Sequence, residues 1–282
     1  MPGTLFVVAT PIGNLEDISA RAIRVLGQVA LIAAEDTRRT ARLLAHYGIA
    51  TPTTSLHEHN ERQKSSSLLV RLTGGEDIAL VSDAGTPTVS DPGEQLIRTA
   101  IAAGVRVEPI PGPSAVMSAL AASGLPSDTF TFMGFPPVKG TARRHWFDSL
   151  AEAGRTVVFF EAPHRIIRTL TELQAAVGDR EIAVARELTK SHEELVRGPI
   201  SHVLSTGVRE QGELTVVVSI GQKTETGRLP APSDAEMLAE FCQTPEHDRI
   251  RRRTVIGRMA FKYGMSPKEV YSAVERAKKL VE

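Results

Sequence analysis

Short apolar runs alternate with longer segments of helical periodicity along the first 110 residues. The runs are rich in β-branched side chains, as buried strands are, and lie at Thr4 to Ala9, Val29 to Ala34, Ile78 to Val81 and Val105 to Ile110. Apolar spacing of three and four residues predicts the helices between them, at Ser19 to Leu26, Thr37 to Tyr47, Glu61 to Leu72 and Glu94 to Ala103. Strands alternating with helices predict a mainly parallel sheet that carries helices on its faces.

Pro111, Gly112 and Pro113 interrupt this alternation, and a second αβ stretch follows them. Ser114 is placed to cap a helix from Ala115 to Ser123. Helices are predicted near Arg143 to Ala153 and Arg165 to Val177, and strands near Phe130 to Gly134, Thr156 to Glu161, Ile182 to Glu187, Glu194 to Arg197 and Leu214 to Ile220. The later strands are closely spaced along the chain, which predicts a mixed sheet.

A polar segment from Gly221 to Pro232 is typical of a linker, and the chain beyond it has helical character. Ser266, Pro267 and Glu269 form a strong helix start. We therefore expect an α/β protein of two αβ domains, with a parallel sheet and then a mixed sheet, plus a small helical C-terminal domain. The predicted parts are an αβα domain over 1–112, a second αβ domain over 113–222, and a helix-turn-helix-like tail over 232–282.

The most informative loop follows the strand at Ile78 to Val81 and reads V-S-D-A-G-T-P-T-V-S-D-P-G. It combines two carboxylates, Asp83 and Asp91, with four hydroxyl side chains and a glycine, Gly85. Loops at the carboxyl ends of parallel strands are where ligands bind in open α/β sheets. The alternative is an ordinary strand-to-helix turn with a polar cap, but the loop is unusually long for one.

Other polar strings follow predicted strands and are expected at the same edge of the sheet. They are Thr10 to Asp17, Ala34 to Arg39, Leu56 to Glu61 and Pro111 to Ser114. Gly13 in the first string either brings the backbone close to a ligand or serves a tight turn. No G-x-G-x-x-G follows the first strand and no phosphate-binding G-x-x-x-x-G-K-S/T occurs, which argues against nucleotide-phosphate binding of those types.

The chain has 33 basic and 33 acidic residues, and this balance excludes a strong electrostatic field from the net charge of the protein. A nucleic-acid partner therefore needs a local patch, and the tail supplies an arginine-rich one. A solvated helix face is the alternative. We expect RNA contacts from this patch and from the charged end of the second strand, at Arg38, Arg39, Arg249, Arg251, Arg252, Arg253, Arg258 and Lys262.

The single cysteine, Cys242, excludes an internal disulfide and a four-cysteine metal site. His57 and His59 flank Glu58, but their spacing is poor evidence for metal binding, so no metal site is expected. No basic leader precedes the first apolar run and no stretch has the length of a membrane span. We expect a cytoplasmic protein without a membrane partner.

Six strings together resemble the small-subunit rRNA methyltransferases of the tetrapyrrole methylase-like superfamily. They are A-T-P-I-G-N-L-E-D-I at 9–18, A-A-E-D-T-R at 33–38, H-E-H-N-E at 57–61, A-L-V-S-D-A-G-T-P at 79–87, P-G-P-S-A at 111–115 and R-E-L-T-K at 186–190. The resemblance implies S-adenosylmethionine bound between two αβ domains. It also implies 2′-O-methylation of a decoding-centre cytidine in 16S rRNA, within the 30S subunit, by a homodimer.

The resemblance implies a set of cofactor-binding residues, to which the loop after the first strand adds Pro11 and Gly13. The implied set is Asp83, Ala84, Gly85, Pro87, Val89, Ser114, Ala115, Phe160, Leu188, Gly212, Glu213 and Leu214.

A ribose hydroxyl is a poor nucleophile at neutral pH, so a nearby base is expected to take its proton. The candidates in the predicted loops are Asp36, Glu58, Glu161, His164 and Lys190. Neither their spacing nor the resemblance selects one of them. Our hypothesis is that Glu58 or Glu161 is the base. Two rival functions remain open: methylation of a small molecule such as a tetrapyrrole, and non-catalytic RNA binding in ribosome assembly.

Overall fold

A computed structural model describes residues 1–221, 233–242, 255–256, 259–260 and 267–281. The first sheet contains five parallel strands in the order β3-β2-β4-β1-β5. Its strands are β1 (Thr4–Val8), β2 (Leu31–Ala34), β3 (Thr53–Ser55), β4 (Ile78–Val81) and β5 (Arg106–Ile110). The helices between them are α1 (Ala20–Gln28), α2 (Thr37–His46), α3 (Glu61–Thr73) and α4 (Glu94–Ala102).

Alternate residues of the central strand β4 enter different cores, which explains its uninterrupted apolar sequence. Ala79 and Val81 join the core beneath α1 and α2, whereas Ile78 and Leu80 join the core beneath α3 and α4. A strand covered on both faces has no position for a polar side chain. All five strands are parallel, so their carboxyl ends meet at one edge.

The second sheet is mixed, with the order β6-β7-β10-β8-β9. β6 and β7 are parallel, and the other neighbours are antiparallel. Its strands are β6 (Phe130–Phe132), β7 (Thr156–Glu161), β8 (Glu181–Arg186), β9 (Glu194–Pro199) and β10 (Leu214–Ser219). Its helices are α5 (Ala115–Ser123), α6 (Gly140–Glu152), α7 (Ile166–Val177) and α8 (Ile200–Thr206).

The helices of this second half cover the sheet unequally. One face packs under α6, α7 and α8 in the core that includes Leu150, Leu170 and Val203. The other face packs under α5, and Phe132, Phe160 and Leu188 there stay only partly buried. This face therefore has aromatic surface left over beside α5.

The structure confirms the predicted α/β class, with a parallel sheet followed by a mixed one. Both sheets belong to one compact unit, Met1–Ile220. The predicted boundary between residues 112 and 113 falls in the connection from β5 to α5, and the domain limits stay a prediction.

The strand β3 and the helix α8 were not predicted from the sequence. β3 is a three-residue strand of Thr53, Thr54 and Ser55 at the sheet edge, without an apolar residue to identify it. α8 is short, and only Ile200 and Val203 of it are buried. Short edge elements bury too little apolar surface to leave a periodic pattern.

The second compact unit, Gly221–Glu282, contains two helices with full bounds, α9 (Asp234–Cys242) and α10 (Pro267–Val281). They share a small core of Met237, Met259, Val270 and Val274, and Arg276 donates hydrogen bonds to Asp234. α10 begins at Pro267, where the capping sequence predicts a helix start. The predicted RNA-binding residues Arg249, Arg251, Arg252, Arg253, Arg258 and Lys262 lie outside the described residues.

Among the residues that the structure describes, no helix combines the length and the apolar character needed to cross a bilayer.

Candidate active site

A cavity of about 380 Å³ lies at the carboxyl edge of the first sheet, opposite the start of β10 and the end of β7. Its walls come from the end of β2, the loop after β4, the start of α5, the end of β7 and the segment before β10. The volume is within the range of small-molecule sites. The topology thus brings chain segments that are more than 150 residues apart in sequence to one pocket.

Ten of the predicted cofactor-site residues line this cavity. They are Asp83, Ala84, Gly85, Val89, Ser114, Ala115, Phe160, Gly212, Glu213 and Leu214. Pro11 instead lines a smaller neighbouring pocket of about 170 Å³, which shares Arg39 and Asp83 with the cavity. Pro87 is buried within its loop and Leu188 packs beside α5.

The loop between β4 and α4 is held in an unusual backbone conformation. Thr88 and Ser90 have φ angles of 72° and 70°, a region that non-glycine residues rarely adopt and that is strained for a β-branched threonine. Backbone hydrogen bonds between Gly85 and Thr10 fix the loop near its start. At its other end one oxygen of Glu61 accepts the N–H groups of Gly93 and Gln95, at 3.0 and 2.8 Å. The loop therefore presents Val89, Ser90 and Asp91 to the cavity.

Three carboxylates, those of Glu35, Asp83 and Asp91, line one wall of the cavity together with the guanidinium of Arg39. Asp83 accepts the N–H of Asp36 at 3.0 Å and lies 3.4 Å from Arg39. Glu35 accepts the N–H of Asp83 at 3.2 Å. These bonds tie the ends of β2 and β4 together, and the three carboxyl groups make the wall acidic.

The carboxylates differ in their ionisation. Burial raises the pKa of Asp91 to about 6, and the nearby charges of Glu35 and Asp83 act in the same direction, against a hydrogen bond from Ser82. Burial also raises the pKa of Glu35. Hydrogen bonds from Arg38 hold the pKa of Asp36 far below its usual range, so Asp36 stays ionised. Carboxyl groups with raised pKa values in a cleft are typical of functional sites.

An aromatic wall faces these carboxylates. Phe135 and Phe160 line the cavity with ring centroids 5.4 Å apart, and Phe160 also contacts Phe132 edge-on. Phe135 is about half exposed. A flat apolar surface beside a negative one suits a ligand that joins a purine to a positively charged chain, which is the chemistry of the implied cofactor.

The predicted catalytic residue Glu161 reaches the cavity wall, but its carboxylate is fully buried and engaged. One oxygen accepts hydrogen bonds from the N–H of Ala162 and from Arg165, each at 2.7 Å, and the other accepts the hydroxyl of Thr169 at 2.5 Å. Thr169 in turn accepts a bond from the buried Arg143. This network fixes the end of β7 and leaves Glu161 no free oxygen for a substrate proton.

The remaining predicted bases are paired or lie away from the cavity. Burial lowers the pKa of Lys190, but its hydrogen bonds to Glu187 and Glu213 outweigh that effect and raise it, so Lys190 is protonated at neutral pH. Glu58 is exposed in the turn before α3, and His164 is exposed in the short 3-10 helix before α7. Neither lines the cavity.

Gly13 packs against the loop that contains Lys190. A Cβ atom at Gly13 would lie 2.5 Å from Lys190 Cγ and 2.8 Å from the carbonyl oxygen of Leu188. The neighbouring Asn14 N–H donates to Thr189 Oγ1 at 3.0 Å. The structure therefore shows a close approach of the Gly13 backbone to another loop of the protein, and the predicted contact of Gly13 with the cofactor stays a prediction.

Glu35, Asp91 and Phe135 are among the cavity residues that were not predicted as site residues. Glu35 stands beside Asp36 in a recognised string and Asp91 stands in the recognised loop, but the sequence does not show that either carboxyl group is partly buried in the cavity. Phe135 follows β6 in a segment with no distinctive pattern.

Comparison with known proteins gives a consistent result. Residues 4–204 match the family model described as Tetrapyrrole (Corrin/Porphyrin) Methylases. The chain is 50% identical to the Ribosomal RNA small subunit methyltransferase I of Pseudomonas aeruginosa over 228 residues, covering 79% of this chain and 81% of that protein. It is 48% identical to the protein of the same name from Xylella fastidiosa (strain Temecula1) over 264 residues, covering 86% and 96%.

Solved structures show the same fold at low sequence identity. Diphthine synthase matches with a TM-score of 0.61 and 14% identity, over 77% of this chain and 90% of that one. A uroporphyrin-III C-methyltransferase from Thermus thermophilus, complexed with S-adenosylhomocysteine, matches with a TM-score of 0.55 and 18% identity, over 77% and 98%.

Proposed function

Because the chain belongs to the tetrapyrrole methylase family, we propose that it methylates the ribose 2′-hydroxyl of a decoding-centre cytidine in 16S rRNA. The methyl donor is S-adenosylmethionine. In general terms, the activity is methylation of small-subunit rRNA. The observation that supports this function best is the sequence identity of 45–50%, over most of the chain, with relatives named Ribosomal RNA small subunit methyltransferase I. We further propose that the 30S subunit is the acceptor and that the enzyme is a cytoplasmic homodimer.

The cavity has the chemistry to hold the cofactor. Phe135 and Phe160 offer an apolar wall to an adenine ring, and the Glu35 and Asp83 carboxylates offer negative charge to the amino and sulfonium groups. The bound cofactor supplies an electrophilic methyl carbon. The protein must then align the acceptor oxygen with that carbon, and positioning of this kind accounts for much of the rate of a displacement reaction.

Arginines on α2 lie at the edge of the cavity where an RNA strand would approach. Arg39 lines both the cavity and the smaller pocket, and Arg42 lines the smaller pocket. Arg38 is exposed but paired with Asp36. Such side chains neutralise backbone phosphates, while the ribose alone enters an acidic cavity. We propose that α2 supports RNA binding together with the arginines of the C-terminal tail.

Transfer of a labelled methyl group distinguishes this function from its rivals. We would incubate the full-length protein with labelled cofactor and, in parallel, undermethylated 30S subunits, naked 16S rRNA and a tetrapyrrole. The expected result is label in rRNA. Label in the tetrapyrrole alone would identify a small-molecule methyltransferase, and cofactor binding without transfer to any acceptor would contradict an enzymatic role in rRNA methylation.

A further inference from the structure

None of the bases predicted from the sequence is free to take the proton of the ribose hydroxyl, because each is paired or lies outside the cavity. The carboxylates that do line the cavity are Glu35, Asp83, Asp91, Glu161 and Glu213. A useful proton acceptor must face the cavity, have an uncommitted oxygen and titrate near the working pH.

Four of the five have commitments that compete with proton transfer. Asp83 binds the Asp36 N–H with one oxygen and pairs with Arg39 through the other. Glu35 accepts the N–H of Asp83 with one oxygen, and protonation of Glu35 would weaken this bond between the ends of β2 and β4. Both oxygens of Glu161 are occupied. Glu213 is mostly exposed and is paired with Lys190.

Asp91 has the fewest commitments. Within the described part of the chain Asp91 is in no ion pair, and the side chain that favours its ionised form is the neutral hydroxyl of Ser82. Asp91 is half-buried in the wall. Its loop contains Thr88 and Ser90 in strained backbone conformations and is anchored at its far end by Glu61. The fold therefore fixes this carboxylate in the cavity wall without an ion pair to a cation of the described residues.

From this arrangement we propose that Asp91 is the general base of the reaction, which deepens the proposed function and rests on it. Asp91 accepts the proton of the 2′-hydroxyl as that oxygen forms a bond to the methyl carbon. The carbon–sulfur bond breaks at the same time and its electron pair stays on sulfur, which becomes a neutral thioether. The proton on Asp91 is then lost to solvent.

The charged groups around Asp91 fit this role. Glu35 and Asp83 face it from the ends of β2 and β4, Arg39 faces the same wall from α2, Glu61 lies at the anchored end of its loop, and Glu213 lines the opposite side. Burial and the two nearest carboxylates bring the pKa of Asp91 to about 6. Asp91 is therefore ionised at neutral pH yet more basic than an ordinary aspartate, as a general base should be.

The test compares Asp91→Asn with the wild type and with the matched control Glu94→Gln, an exposed carboxylate in the first turn of α4. In single turnovers with saturating cofactor and RNA, Asp91→Asn should be slower by about 10²- to 10⁴-fold. The wild-type rate should rise with pH up to about 6 and then level off, whereas the residual rate of Asp91→Asn should lack this inflection. Glu94→Gln should behave as the wild type.

Two readouts are independent of turnover. Calorimetry should find cofactor affinity unchanged in Asp91→Asn. Because the pKa of Asp91 in the folded state is raised above its ordinary value of 3.8, the stabilisation from protonated Asp91 is present at low pH and is lost as the pH rises through about 6. The free energy of unfolding of Asp91→Asn should therefore increase relative to wild type between about pH 4 and pH 7, and that of Glu94→Gln should show no such trend.

A retained rate and pH profile in Asp91→Asn would overturn the assignment of the base while leaving the proposed function intact. Loss of cofactor affinity would overturn it as well, since Asp91 would then be a cofactor-binding residue. A wild-type protein that transfers no methyl group to RNA would refute the proposed function itself, and the assignment with it.

Discussion

At the scale of single residues, Gly13 shows how one missing side chain joins two parts of the fold. The backbone of Gly13 lies against Leu188, Thr189 and Lys190, which connect to strands of the second sheet, while Gly13 itself follows β1 of the first. A larger side chain at position 13 would therefore overlap with the 188–190 loop.

We predict that Gly13→Ala lowers the free energy of unfolding by about 1–3 kcal/mol, because its Cβ overlaps with backbone and side-chain atoms of the 188–190 loop. Urea unfolding would measure the change. The control is Gly27→Ala in α1, where a Cβ atom meets nothing within 4 Å; it should be neutral or stabilise the protein by up to about 1 kcal/mol. Equal effects of both substitutions would show that the contact at Gly13 is not restrictive.

Thr169 is the central hydroxyl of the buried network behind the cavity. It donates to Glu161 and accepts from Arg143, and Arg143 also binds Glu172 at 2.6 Å. We predict that Thr169→Val lowers the free energy of unfolding by about 1–3 kcal/mol, because it leaves both buried charges short of a partner.

Thr171→Val is the matched control for this network. Thr171 is on the same helix but is exposed and bonds only to its own helix backbone within the described residues. A loss in Thr169→Val no larger than that in Thr171→Val would mean that the network contributes little to stability.

At the scale of elements, the length and burial of a segment decided whether the sequence predicted it. β4 was predicted because both faces are covered and every residue of Ile78 to Val81 is apolar. β3 was missed because its three hydroxyl-bearing residues lie at the sheet edge. The loop after β4 was predicted to be a binding element from its composition, but the sequence does not reveal which of its carboxylates is buried.

The anchoring of this loop by Glu61 was also invisible in sequence, because it joins two helix starts 32 residues apart. The sequence left open a polar cap within the loop at the start of α4, whereas in the structure Glu61 accepts the N–H groups there. We predict that Glu61→Ala lowers the free energy of unfolding by about 1 kcal/mol, as loss of a helix cap does. It should also speed amide hydrogen exchange at Gly93 and Gln95, while Glu94→Ala should leave that exchange unchanged; equal exchange in the two variants would contradict the capping role.

At the scale of the whole molecule, the first sheet supplies acidic groups and the second sheet supplies aromatic ones to a common cavity. Because the strands of the first sheet are parallel, strings separated along the chain could be assigned to one edge from sequence alone. The contribution of the second sheet was harder to predict, since β7 and β10 approach that edge through an antiparallel pairing that periodicity does not specify. Recognition of the family motifs supplied the placement of Phe160 and Gly212 to Leu214 that spacing alone did not.

We propose that this cavity directs methyl transfer to a ribose oxygen of 16S rRNA. The most direct measurement is mass spectrometry of nucleosides from undermethylated 30S subunits treated with the protein and isotope-labelled cofactor, with the labelled nucleotide mapped in the rRNA. We expect the label in a single 2′-O-methylcytidine of the decoding centre. Label on a nucleobase, or rRNA without label while a tetrapyrrole accepts it, would contradict the claim.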